Sequence, residues 1–546
     1  MRHLIKLAAL AAAVLATACT SDEPGRVAPP LLEVTSPARG TMEEGLTMVA
    51  VRGTVAPSPE AGAAITRVAV NGVTAELAAD GSFVANVAIA PGATLLQTVA
   101  VDADGNQASD TRAVVTGTLR PADAMIENAI SAALSAAALD RLGGSAATQV
   151  EQSDLGAFVA PYNPVIAKGL TNGEEDCLYG KVSVRPGLDV STAAIGLVPG
   201  DAGLAIDVDL KDLVVPLHAR YAAACLDGDT DLTVRARRAR VRGTLAVMAT
   251  AGKFDVRLQS PQVTLEGFAV DASGVPGAVL DLLDLDQEMG DVLAWAIERF
   301  MAPVVDQALR GVAVGPQRVE LLGRTVEVAV TPAGVGFDAA GAEVVLDGRL
   351  MVVGGDARFV YTEDQVPPRR TGAGFELAVA DDTMNQALAG FWASGALALR
   401  QPHELGLFDG FALDARLPPV VSPAGDGSLR LALGDLIVDF QTAGATRARV
   451  AMNLEMNLRV EPNAAYDGAV RLAIDLRALK ADVLDNATGV PDHELEQLFP
   501  GIATTMLDTM SPILGAIPLP SVYDLSVTDL RIGGDAGYVT VSGDLN

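Results

Sequence analysis

The segment Phe375–Arg400, FELAVADDTMNQALAGFWASGALALR, changes its periodicity twice. Phe375, Leu377 and Val379 fall on alternate positions, as on one face of a strand. After Asp381 and Asp382 the period lengthens, and Met384, Leu388 and Phe391 or Trp392 share one helical face. Asp381 suits the N-cap, Gly395 suits the helix end, and Ala396 to Leu399 resume as an extended apolar run. The segment is expected to be a strand, a helix and a return strand.

The rest of the second half is expected to be built on this unit. Strands from Val319 to Tyr361 lead through the polar loop EDQVPPRR into it, and further strands follow from Leu429 to Leu479. Between Val450 and Val460, the residues Val450, Met452, Leu454, Met456, Leu458 and Val460 make one face wholly apolar. A helix is expected over Glu494 to Leu514, where Leu495, Leu498, Ile502, Met506, Met510 and Ile513 recur at helical spacing before Ala516-Ile517-Pro518-Leu519-Pro520.

The first half shows the same order of elements. Pro121 to Leu142 reads as a helix with Ile126, Ile130, Leu134 and Ala137 on one face. Residues 178–270 read as strands, with Leu204, Ile206, Val208 and Leu210 opposite Asp207, Asp209 and Lys211. Val279 to Leu309 reads as a second long helix with Leu282, Leu285, Met289, Leu293, Ile297, Phe300 and Val304 inward, and Pro303 should bend or interrupt its last turns. A strand face and a helix stripe this apolar must both be buried.

Residues 375–400 and the run LFPGIATTMLDTMSPILGAIPLPSVYDLSVTDLRI at 498–532 resemble the second barrel of bactericidal/permeability-increasing protein and its relatives, the tubular lipid-binding (TULIP) family. The resemblance extends over about residues 120–546. It implies two pseudo-repeated, twisted half-barrels, each packed on long amphipathic helices around an elongated apolar cavity. The lipid-cavity candidates are then Met289, Leu293, Ile297 and Phe300 in the first unit, and Met452, Met456, Leu498, Ile502 and Met506 in the second. Methionine suits a cavity tolerant of chain shape. The expected ligand is a phospholipid or other acyl lipid, with no cofactor, no metal and no catalytic residue. Members of the family carry one disulfide in the first barrel, and Cys177 and Cys225 lie in the corresponding unit. An even pair of cysteines in an exported chain gives the same expectation.

Export follows from the N-terminus. Arg2, His3 and Lys6 precede the apolar stretch Leu7 to Ala16, and Ala16-Thr17-Ala18 precede Cys19. This is the pattern of a bacterial lipoprotein signal, making Cys19 the lipidated residue, with acyl groups such as palmitate. Ala16 stands where such sites prefer Leu, and ordinary secretory cleavage at the same A-x-A pattern is the competing reading. Thr20, in place of Asp, favours the outer membrane. The expected divisions are a signal peptide at 1–18, a flexible tether at 19–30, a bacterial Ig-like module at 31–118, a first BPI-like domain at 119–314 and a second at 315–546. The Ig-like reading rests on short alternating strands punctuated by Asn71-Gly72, Asp80-Gly81 and Asp104-Gly105. The module is expected to act as a spacer or weak adhesive element. The overall class is a multidomain, mainly β protein with long helices.

Composition narrows the function. The net charge of -29 disfavours nucleic acid, and 4% aromatic residues disfavour sugar-stacking surfaces. Mean hydropathy is +0.31, yet no apolar run after the N-terminus is long enough to span a bilayer, so the apolar surface must be internal. No G-x-S-x-G elbow, H-E-x-x-H pair or phosphate-cradling loop occurs. Asp102 and Asp104, and Asp227, Asp229 and Asp231, read as turns rather than calcium loops. VRARRARVRG concentrates arginines on one strand. Arg235 and Arg237 are the weak headgroup candidates, while pairing of the strand with Asp207, Asp209 and Asp212 is the favoured reading.

Overall fold

The computed structural model describes residues 29–545 except for 61, 172–173, 251–252, 273, 311–316, 363–365, 368–373, 406–407, 425–427, 463–468, 498, 500–515, 519–526 and 536. The protein is a multidomain, β-rich molecule with a curled half-barrel sheet. The signal, the tether and Cys19 lie outside the described residues, as do Leu498, Ile502 and Met506.

Residues 31–120 form a two-sheet sandwich around Val51, Val68, Phe83, Leu96 and Val114. Its strand Gln107–Arg120 runs on to pair with Phe359–Tyr361 and lies against the sheet that contains Leu429–Thr442. The module is therefore docked on the second half instead of standing off as a spacer.

The first half is built on a seven-stranded antiparallel sheet whose longest pair, Gly203–Ala223 and Leu226–Thr250, is in register from Leu204–Leu245 to Ala223–Leu226. Helix α1 (Ala136–Gln152), the short helix α2 (Gly277–Leu283) and the long helix α3 (Leu285–Arg310) cover its inner face. The sequence reading placed one helix over 279–309. The break at Asp284 is a left-handed residue, φ 42°, whose N–H caps Leu280 O at 3.1 Å. The helix continues through Pro303 to Arg310, so Pro303 does not end it.

The expected helix over 121–142 is corrected. Residues Ile126–Ser135 form a strand, and only then does α1 begin, with the Ser135 hydroxyl accepting from Ala138 N. Ladders with Gly341–Val352 on one side and Phe375–Ala380 on the other use hydrogen bonds at both strand edges. A local apolar repeat cannot outweigh ladders on both edges of the strand. This strand carries the first half into a central seven-stranded sheet with residues 317–380 and 527–545.

Helix α4 (Asp381–Ala393) is the expected helix of the opening segment, though the cap position is Ala380 and Asp381 lies inside the first turn. Met384 and Leu388 pack toward Val421, Leu429 and Val539, and Phe391 toward Val326 and Val352. The polar residues Asn385 and Gln386 are buried as well. Asn385 exchanges two hydrogen bonds with the Val421 backbone at 2.7 and 3.0 Å, and Gln386 Nε2 donates to Ala122 O and Ala124 O while its Oε1 accepts from Leu350 N. The helix thus pins the central sheet, the 121–125 link and the last sheet together. Gly355 and Gly390 allow the contact: a Cβ on Gly355 would lie 2.1 Å from Gly390 O.

The last sheet also has seven strands. In Ala445–Pro462 the apolar side expected from sequence is buried at Val450, Met452, Leu454 and Met456. Its reverse face is buried too, at Ala451, Asn453 and Asn457. Asn453 Nδ2 donates to Thr111 O at 2.9 Å, which places the docked sandwich against that face.

Candidate apolar cavity

A cavity of about 80 Å³ lies between α3, α1 and the first sheet. Its lining is entirely Val, Leu, Ile, Met and Ala. The sheet contributes Val208 and Leu210, then Leu213 and Val215, each pair two residues apart because alternate side chains of a strand share a face; Asp212, at φ 50°, takes up the extra residue between the pairs. The helix contributes Met289, Leu293 and Ile297, four residues apart, with Val292 and Ala296 beside them. These are three of the four first-unit candidates, brought together on one wall. Phe300 lies on the same helix, and its side chain falls outside the described residues.

The remaining wall was not legible in the sequence. Leu155 and Val159 come from a short strap that crosses the cavity and ends in the turn Ala160–Tyr162. Asp154 holds the start of the strap by accepting from Ala157 N and Gly187 N, each at 3.1 Å, and these bonds keep its carboxyl below the usual range. Asn163 holds the other end, donating to Val184 O and accepting from Val184 N, both at 2.8 Å. Between these anchors Tyr162 meets Trp295 of α3 edge to face at 5.0 Å. The available signal was the D-x-x-A cap followed by Ala-Pro-Tyr-Asn-Pro.

The second-unit candidates are placed differently. Met452 packs with Phe408, Phe440, Leu495 and Phe499. The rings of Phe440 and Phe499 stack at 4.9 Å, and Phe408 tilts against Phe440 at 4.9 Å. Met456 is buried in the same strand, opposite Leu431 and Leu476.

The disulfide Cys177–Cys225 ties the strand Glu174–Val184 to the turn between Gly203–Ala223 and Leu226–Thr250. The arginine strand pairs across the sheet as favoured: Arg238 Nε to Asp209 Oδ1 at 2.9 Å, Arg240 Nε to Asp207 Oδ1 at 2.7 Å, and Arg242 Nε to Asp207 Oδ2 at 3.2 Å. Hydrogen bonds from Arg240 and Arg238 hold the Asp207 and Asp209 carboxyls below the usual range. Asp212 instead accepts from Ser191. Arg235 and Arg237 are exposed on the same strand, away from the cavity lining. Asp102 closes a turn on Asp104 N and Asn106 N, and among the described residues no group of three or more His, Cys, Asp or Glu could hold a metal ion.

Residues 30–117 match the profile of the family described as Glucodextranase, domain B. No curated protein matches the chain. Among solved structures it is similar to a lipopolysaccharide binding protein, at 11% identity over 77% of this chain and 99% of that one, with a TM-score of 0.36. It is also similar to P47 of Clostridium botulinum E1, at 9% identity over 78% and 100% with a TM-score of 0.27, and to P47 of Clostridium botulinum A2, at 7% over 77% and 98% with a TM-score of 0.27.

Proposed function

We propose that the protein is an exported cell-envelope lipoprotein, anchored through Cys19 in the outer membrane, that binds acyl lipids and can hand them between membranes. In this reading residues 119–314 and 315–546 are two TULIP-like units, and no catalytic step is involved. The observation that carries the proposal is the wholly apolar cavity bounded by Met289, Leu293 and Ile297. Burial of each methylene supplies about 0.8 kcal/mol, so an acyl chain gains affinity without charge pairing, in keeping with the acidic surface.

As described, the cavity is narrower than an acyl chain needs, since an apolar void of roughly 150 Å³ takes only a benzene ring. Uptake therefore requires one wall to move. The sheet is held by continuous ladders, whereas the strap is held at its two ends.

The test is mass spectrometry of organic extracts of the protein, made with Cys19→Ala in a bacterium and purified without detergent. Stoichiometric phospholipid or fatty acid, lost in Leu293→Trp, is the expected result. A lipid-free protein that also takes up no fluorescent acyl probe would overturn it. That outcome would favour a structural or adhesive lipoprotein, a reading supported by the close ring packing of Phe408, Phe440 and Phe499.

A further inference from the structure

We propose that Tyr162, Trp295 and Arg299 form the mouth of the cavity and select amphiphiles with one acyl chain and an anionic head, a carboxylate or a phosphate. The inference rests on the acyl-binding reading above and adds the place of entry and the class of headgroup.

Three observations meet at this point. The strap that carries Leu155 and Val159 into the cavity wall ends at Tyr162, which is 43% exposed, so the wall reaches solvent there. On α3, Trp295 and Arg299 stand one turn apart, and Val292 and Ala296, beside Trp295 in sequence and space, line the cavity. The Arg299 guanidinium is exposed and sits over both rings, with its Cζ 5.3 Å from the Tyr162 centroid and 5.8 Å from the Trp295 centroid.

The charge pattern of α3 makes this cation distinctive. Asp286, Glu288, Asp291 and Glu298 precede it, and Arg299 is the first basic residue of the helix. Glu288 is paired with Lys168 at 2.5 Å, and Glu298 accepts from Leu258 N at 3.2 Å, so both carboxylates are engaged by the sheet side. The guanidinium is held by ring faces, a contact that an incoming anion can replace with charge-assisted hydrogen bonds. A chain lying along Leu293 and Ile297 would end its apolar part at this turn, placing the head within reach of Arg299. The edge-to-face contact of Tyr162 with Trp295 closes the mouth when no ligand is bound. Starting from so small a void, opening the wall for one chain displaces less of the packing than opening it for two.

Trp295 reports on the mouth directly, since the chain has two tryptophans and Trp392 is remote, with its Nε1 donating to Ala415 O at 2.7 Å. The experiment titrates the full chain carrying Cys19→Ala with palmitate, 1-palmitoyl-lysophosphatidylglycerol, monopalmitoylglycerol and dipalmitoylphosphatidylglycerol, following tryptophan emission. Trp295→Phe identifies the part of the signal that arises at the mouth, and displacement of a fluorescent acyl probe gives affinities independently. Palmitate or the lysophospholipid should bind about tenfold more tightly than the uncharged glyceride, and Arg299→Gln should remove that preference while leaving glyceride binding intact, about tenfold being the worth of one charge-assisted contact. The tighter of the two anions identifies the source of the head. Tyr162→Ala should speed probe uptake and release together.

The selectivity proposal is overturned if the glyceride binds as well as the anions, if Arg299→Gln changes nothing, or if the two-chain lipid binds best. Probe uptake that persists in those cases keeps the acyl-binding reading alive. Failure of every probe, with no difference between the parent and Leu293→Trp, overturns both.

Discussion

Two internal contacts of this protein are built on opposite principles. Where the sandwich docks on the last sheet, Arg39 donates to Asp435 at 2.9 Å, to Thr111 O at 2.7 Å, to Asp110 at 3.2 Å and to Asp482 at 3.4 Å. Both oxygens of Asp482 accept from Thr111 N, and Asp435 accepts from Gly40 N. Where α3 meets the first sheet, the cavity is walled by hydrocarbon alone. The first contact is directional, and each member fixes the next. The second is non-directional and indifferent to small shifts. A contact of the first kind sets one geometry; one of the second kind can part and admit a guest.

The contrast breaks most sharply at Arg39. Arg39→Ala removes the donor shared by buried Asp435 and Asp482 and leaves their oxygens short of a partner, and about 3 kcal/mol of docking stability should be lost. Urea unfolding would show the sandwich melting in a separate, earlier transition. A single unshifted transition would mean that the polar contact does not hold the domains together.

The apolar half can be loosened covalently. The disulfide closes 48 residues, worth about 4 kcal/mol on the chain-entropy account, so Cys177→Ser with Cys225→Ser should lower the stability of the first sheet by that order without changing the docking transition. Loss of both transitions together would show that the two contacts are coupled.

Leu293→Ala probes the cavity itself. It should cost about 2 kcal/mol, the low end for a buried leucine, because the site already borders a void, and it should increase the amount of acyl probe bound. A cost near the top of the range with no gain in probe would indicate a wall that cannot adapt.

The pH response should separate the two contacts. Burial, reinforced by Asp110, pushes the Asp482 carboxyl up to about 8, against Arg39 and the Thr111 N–H, and burial also raises Asp435. Arg112, paired with Asp110, and Glu496 are further charged groups beside this cluster. A folded-state value above the unfolded 3.8 means that the folded form holds the proton longer, so this contribution to docking stability is full below 3.8 and is lost as pH rises from there through about 8. Asp482→Asn should flatten this decline in the docking transition, while the first-sheet transition stays unaffected. An unchanged slope would remove Asp482 from the account.

The smallest effect is expected at the strap, where Tyr162→Ala removes one edge-to-face pair and should cost about 1 kcal/mol, read as a small shift in thermal unfolding of the first sheet.

Much of this was legible in the residues. Alternation at Leu204–Leu210 and Val450–Val460 marked the strands Gly203–Ala223 and Ala445–Pro462, a shift of period at Asp381 marked α4, and four-residue spacing put Met289, Leu293 and Ile297 on one wall. The pair Cys177 and Cys225 was expected from its number and the export signal. These are local or pairwise properties, readable because side-chain direction follows from backbone period.

Other features depended on partners far along the chain. Ile126–Ser135 is a strand because strands more than 200 residues later pair with both its edges, a fact absent from its own alanine-rich sequence. The buried reverse face of Asn453, the Arg39 cluster and the strap over the cavity arise in the same way. By itself the sequence determined which segments extend, which coil and which faces must leave water, since those follow from residue type and spacing. Only the tertiary structure decided which buried faces meet closely and which leave a space, because that is set by the sum of volumes and hydrogen bonds across elements that no single stretch contains.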